Sequence, residues 1–233
     1  MRLCTSDPVT PVDRVSGAGT PTTASAFAAM LLGILSLHTA SSLAYAQAIP
    51  VELGIGHRYA TTNLVVSKPF SETSRLGYFH LSTIGIDYDE TDANDLAIQN
   101  LIFLQLPGSL RLAGGAFHTE RGFSPTLGLQ YVKGGRDLFL LVAPRVNIDS
   151  EPSYSIFSIV RYKPRLTETA RLYLGAQLLN TFDARRHIKS YQWFRIGLEI
   201  RGTQFGLALN LDEEGPNPGV DVGLGFFVRR EVF

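Results

Sequence analysis

The sequence predicts an all-β chain that closes into an antiparallel up-and-down transmembrane β-barrel of about twelve strands, with ten or eight as alternative counts. Two observations point there: apolar residues alternate with small or polar ones over runs of about ten residues, and turn residues punctuate those runs. A third is compositional. Charged residues make up 18% of the chain, below the roughly 25% of soluble domains.

The N-terminal segment stands apart from this pattern. Residues 26–37 (AFAAMLLGILSL) form an apolar run, too short for a spanning helix, which needs about 20 residues. Ala44-Tyr45-Ala46-Gln47-Ala48 follows, with the small residues of a processing site. The reading is a signal peptide over residues 1–46, cleaved after Ala46 or Ala48, ahead of a single barrel domain over residues 47–233. The stretch before the apolar run is long for a leader and carries only Arg2 and Arg14 against Asp7 and Asp13, which leaves a start downstream of Met1 as an alternative. Cys4, the only cysteine, would leave with this segment. The mature chain then has no disulfide framework and no cysteine-based metal site or nucleophile. Its charges stay balanced, which argues against nucleic acid as a partner.

Individual strands follow from the alternation. Phe205, Leu207, Leu209 and Leu211 share one face against Gln204, Gly206, Ala208 and Asn210; Phe194, Ile196, Leu198 and Ile200 repeat the pattern against Arg195, Gly197 and Glu199. Leu138, Leu140, Val142, Pro144 and Val146 oppose Asp137, Arg145 and Asn147, and Leu172, Leu174, Ala176 and Leu178 oppose Arg171, Tyr173 and Gln177. Tight turns are expected at Pro107-Gly108, Gly134-Gly135, Lys163-Pro164-Arg165 and Gly202-Thr203, and longer polar links at 89–95, 119–122, 149–152, 182–187 and 212–218. Sorting of links by length is a property of outer-membrane barrels, whose short turns are periplasmic. Counting back from the last strand adds a turn at 68–74 and a short first strand at 51–57, which gives an even total.

The face opposite the apolar one carries small and amide residues with isolated arginines. That composition suits a confined lumen better than a solvent-covered surface. It places Arg111, Arg145, Arg161, Arg171, Arg195, Arg201 and Arg229 inward, with Glu199, Asp137 and Asp221 as their acids. Tyr88, Phe123, Tyr131, Tyr154, Tyr162 and Phe194 fall on the apolar face, as interfacial girdles would.

The segment VDVGLGFFVRREVF, residues 220–233, resembles the terminal insertion signal of Gram-negative outer-membrane β-barrels, a last strand ending in phenylalanine, here Phe233. Its apolar set lies one residue out of step, at Val232, Val228, Phe226 and Leu224, and a bulge near Arg229 or Arg230 would bring it into register. GFSPTLGLQY (122–131), SYQWFRIGLE (190–199) and QFGLALN (204–210) are also similar to uncharacterised proteins of this class. The resemblance implies an outer-membrane location, with lipid, lipopolysaccharide and the barrel-insertion machinery as partners, and it implies no activity.

Few motifs could carry chemistry. His80-Leu81-Ser82 matches the His-x-Ser pair of lipid A deacylase barrels, which work with a glutamate; Glu72 or Glu90 is near in sequence, but the pair lies too early in the chain. The acidic run 87–95 lacks cation-loop spacing and reads as a solvated loop. His57, His80, His118 and His187 have no metal-ligand spacing, and neither a phosphate loop nor a nucleophile elbow is present. No catalytic residue, metal or cofactor is therefore expected. The function expected is a small porin or passive channel with an arginine-biased lumen favouring small anionic solutes. The alternatives are a non-conducting structural or adhesive barrel with partner-binding loops, and a lipid A-modifying enzyme.

Overall fold

The computed structural model describes residues 49–89, 95–119, 122–149, 151–215 and 219–232. The expected leader over 1–46, its cleavage sites and Phe233 lie outside them. Twelve strands follow one another: β1 (Ile49–Gly56), β2 (Tyr59–Pro69), β3 (Leu76–Asp87), β4 (Asp95–Gln105), β5 (Leu110–Thr119), β6 (Gly122–Gly134), β7 (Leu138–Asn147), β8 (Ser153–Tyr162), β9 (Ala170–Phe182), β10 (His187–Ile200), β11 (Thr203–Glu214) and β12 (Val220–Val232). Each pairs antiparallel with its neighbour in sequence, and β1 pairs with β12 from Ile49↔Val232 to Gly56↔Gly225, so the sheet closes without an edge. Closure satisfies every ladder and is what permits strands to cross a bilayer.

The barrel is inside-out relative to a soluble protein. Leu53, Leu129, Ile156, Ile196, Leu207 and Phe226 point outward and are exposed, while Glu52, Asn63, Gln99, Gln130, Arg195 and Arg229 point inward and are buried. An apolar wall around a polar interior belongs in lipid. Aromatic residues ring both rims: Tyr88, Phe123 and Tyr154 lie at the end opposite Ile49 and Val232, and Tyr131 and Tyr162 at the end that carries them. Phe194 faces lipid midway along β10 instead. Leu207, 56% exposed on the wall, is a direct reporter of this environment. Leu207→Arg should lower the unfolding free energy in lipid vesicles by about 2–4 kcal/mol, read by urea titration; a change near zero would mean the wall does not face hydrocarbon.

The links differ from the expectation in one respect. At the terminal end they span 70–75, 106–109, 135–137, 163–169 and 201–202; at the distal end, 57–58, 88–94, 120–121, 148–152, 183–186 and 215–219. The longest link at one end equals the longest at the other, so length does not sort them. The proline of Lys163-Pro164-Arg165 does not make a tight turn, because the chain there is held by Leu166 and Thr167 N–H groups bonded to the Ala170 carbonyl. The two-residue hairpin at Arg201-Gly202 has φ of 52° and 78°, the left-handed pair favoured between twisted strands.

Strand β12 runs in unbroken register against both β1 and β11. No bulge occurs at Arg229 or Arg230. The apolar set Val222, Leu224, Phe226 and Val228 faces outward, and Arg229 inward, by simple alternation. A second local feature shapes the wall: Gly197 opposes Gly206 directly, and a Cβ on either would stand 2.1 Å from a carbonyl oxygen of the facing strand. Only glycine permits that close approach of the two backbones.

Candidate functional site

The interior is built in three layers. The inner faces of β3, β4, β7 and β8 each carry an apolar stretch: Phe79 and Leu81, Leu101 and Phe103, Leu141, and Phe157 and Ile159 join Tyr191 and Trp193 of β10 in one buried cluster. This differs from the expected small and polar inner wall. Segments such as LIFL and LFLLVA carry apolar residues at both parities, and the second parity fills the lumen instead of lining it.

Beside this cluster, polar side chains cross the barrel. Asn63 Nδ2 of β2 donates to Gln177 Oε1 of β9 at 2.9 Å, and Gln177 Nε2 donates to Tyr191 Oη at 3.1 Å. Arg195 Nε of β10 donates to Glu52 Oε1 of β1 at 2.8 Å, and its Nη1 donates to Asn210 Oδ1 at 2.7 Å. Glu52 Oε2 also faces Arg229 Nη1 at 3.6 Å. At this height the inward residues are sealed, from Gln130 at 1% exposure to Gln177 at 9%. An open pore would leave them wet, so the lumen is closed at mid-height in this structure. Several buried polar atoms here have no protein partner, among them both amide atoms of Gln130, Arg145 Nε and Nη1, and Arg229 Nε. Groups of this kind require water, and beside Arg229 a cavity of about 20 Å³ between Glu52, Arg161 and Arg195 is large enough to hold one.

The other arginines are held by aromatic rings and hydrogen bonds. Arg111 lies 4.1 Å over Phe103 and donates to Ser67 Oγ and Gln105 Oε1; Arg145 lies 4.2 Å over Phe117, and Arg161 5.4 Å over Phe139. Such cation–π contacts gain strength when desolvated. Towards the terminal end Arg171 pairs with Asp137 at 2.7 Å, and Glu199 accepts from Lys163 Nζ and Gln204 Nε2. Arg201 is a correction: it sits exposed in the β10–β11 turn and does not line the lumen, because the strand ends one residue before it. Asp221 is at the distal mouth, paired with Arg58 at 2.7 Å, and its carboxylate pushes the Arg58 guanidinium above the ordinary arginine range by hydrogen bond and charge.

The third layer is an open vestibule at the distal end, a cavity of about 470 Å³. Trp193 and Tyr59 project into it, both hydrogen-bonded to Asp212, and its rim carries Asp87, Asp95, Glu214 and Asp221 with Arg58 and Lys189. The sequence alone did not mark this site. The sequence pattern puts Asp212 and Asp95 in links, whereas β11 runs on to Glu214 and β4 starts at Asp95. Continued alternation past Asn210 is the signal that would have placed Asp212 and Glu214 inward.

His80 and Ser82 face outward on β3. His80 Nδ1 meets Asn100 Oδ1 at 2.8 Å and Tyr78 Oη at 3.4 Å, partners that supply no carboxylate. Glu90 lies outside the described residues, and Glu72 is exposed in the 70–75 turn.

No protein-family model matches the chain, and no curated protein matches it. Among solved structures it is similar to the NanC porin (12% identity, TM-score 0.46, covering 79% of this chain and 100% of that one) and the KdgM porin (9% identity, TM-score 0.47, covering 80% and 100%). It is also similar to the COG4313 outer membrane channel from Pseudomonas putida F1 (14% identity, TM-score 0.44, covering 84% and 98%).

Proposed function

We propose that this outer-membrane barrel is a small porin-like channel that receives solute at its distal, extracellular end and is shut at mid-height in the state described. One observation carries the reading: a vestibule of about 470 Å³ ends on a layer of buried side chains that includes unpartnered, water-requiring polar atoms. A purely structural plug would gain nothing from such atoms, which each cost about 1–3 kcal/mol when left dry. A cleaved leader would deliver the chain across the inner membrane, and the insertion machinery would place it in lipid.

The arginine count does not by itself set an anion preference. Glu52 offsets one of the two charges of Arg195 and Arg229, Asp137 offsets Arg171, and the mouth is acidic. The contiguous apolar cluster supports a second reading, a barrel that never conducts. Planar-bilayer recording separates them. The wild-type chain should show rare openings, and Leu141→Ala with Phe157→Ala should raise conductance several-fold without anion selectivity. Silence in both proteins would leave the non-conducting reading, and a strong anion reversal potential would restore the original preference.

A further inference from the structure

We propose that the distal vestibule is a binding site for organic di- or polyammonium solutes. The inference rests on the channel reading only for passage, since binding at the mouth needs no open lumen. Five carboxylates line the cavity against two basic side chains. Lys189 is already shared by Asp95 and Glu214, at 3.0 and 2.9 Å, and Arg58 is taken by Asp221.

Asp212 is the centre of the site. Its two oxygens accept from Trp193 Nε1 at 3.2 Å and Tyr59 Oη at 2.9 Å. Both donors are neutral, and no cationic side chain among the described residues stands within ion-pair distance, so its charge is held in place and left uncompensated. Thr83, 2% exposed, lines the same cavity, and its Oγ1 has no partner. A buried hydroxyl without a partner is an acceptor in wait for an N–H. An ammonium that reaches Asp212 and Thr83 from this cavity satisfies both, and the Trp193 N–H holds the carboxylate in place for it.

The choice of an organic cation over a metal ion follows from spacing. Among the described residues no three carboxylates or imidazoles converge on one point as a metal requires. The carboxylates are instead spread around a cavity of about 470 Å³, which suits a flexible chain bearing two or more separated ammonium groups.

Trp193 is the only tryptophan in the chain, so the site contains its own reporter. The full chain, refolded in detergent, is titrated with spermidine and followed by tryptophan emission and by calorimetry. A saturable change should appear, and a dicarboxylate of similar length should produce none. Asp212→Asn should weaken the calorimetric affinity about tenfold or more, as loss of a charge-assisted contact does. Glu213→Gln, which removes one charge from the outward face beside it, should not. No saturable response in the wild type, an unchanged affinity in Asp212→Asn, or equal responses to magnesium at matched concentration would each overturn the proposal. Spermidine binding without conductance in any variant would reject the channel and keep the site; conductance without binding would do the reverse.

Discussion

Replacing Glu52 with alanine is expected to cost the folded barrel about 3–5 kcal/mol, the penalty for leaving buried charge without its counterpart. Glu52 is the acid shared by Arg195 and Arg229, and all three side chains are at most 8% exposed. The tie also joins strands that close the barrel. Arg195 is on β10, Arg229 on β12 and Glu52 on β1, so the carboxylate draws the last strands onto the first. Urea titration in vesicles, with heat-modifiable migration as a second readout, measures the loss. Adding Arg195→Met should return part of it, because one of the two stranded charges is then gone. A loss in Glu52→Ala below about 1 kcal/mol would assign the trio the weak value of an exposed pair.

The second large effect lies in two adjacent residues of β8. Phe157 points into the lumen at 1% exposure, and Ile156 points to lipid at 52%. Phe157→Ala should cost about 3–5 kcal/mol, since rigid neighbours on β3, β4 and β7 cannot collapse into the space. Ile156→Ala should cost less than about half as much, because mobile acyl chains fill what the side chain vacates and no cavity persists. Equal losses would mean that the lumen is not packed as a core. The reverse order would mean that the inward and outward faces have been exchanged.

The even strand total, the all-β class and the identity of the lipid face were legible in the residues because each depends on a local rule. Alternation along Gln204 to Leu211 is fixed by the two-residue repeat of a strand, and β11 shows that alternation without interruption. The positions of Arg111, Arg145, Arg161, Arg171, Arg195 and Arg229 followed from the same parity. Arg201 did not, because Gly202 ends the alternation one residue earlier than the pattern implied. The apolar stretches on the inner faces of β3, β4, β7 and β8 were hidden for another reason: where both parities are apolar, sequence cannot say which one meets lipid.

By itself, then, the sequence determined that the chain alternates, how often it turns and which arginines leave the lipid face. Only the tertiary structure decided that the lumen is shut, that Glu52 gathers two of those arginines, and that Asp212, Trp193 and Tyr59 converge at a mouth. The physical reason is range. Alternation and turn formation act between residues a few positions apart, whereas Glu52 and Arg195 lie 143 residues apart, and Tyr59 and Asp212 153 apart. Contacts at such separations exist only once the first strand has met the last.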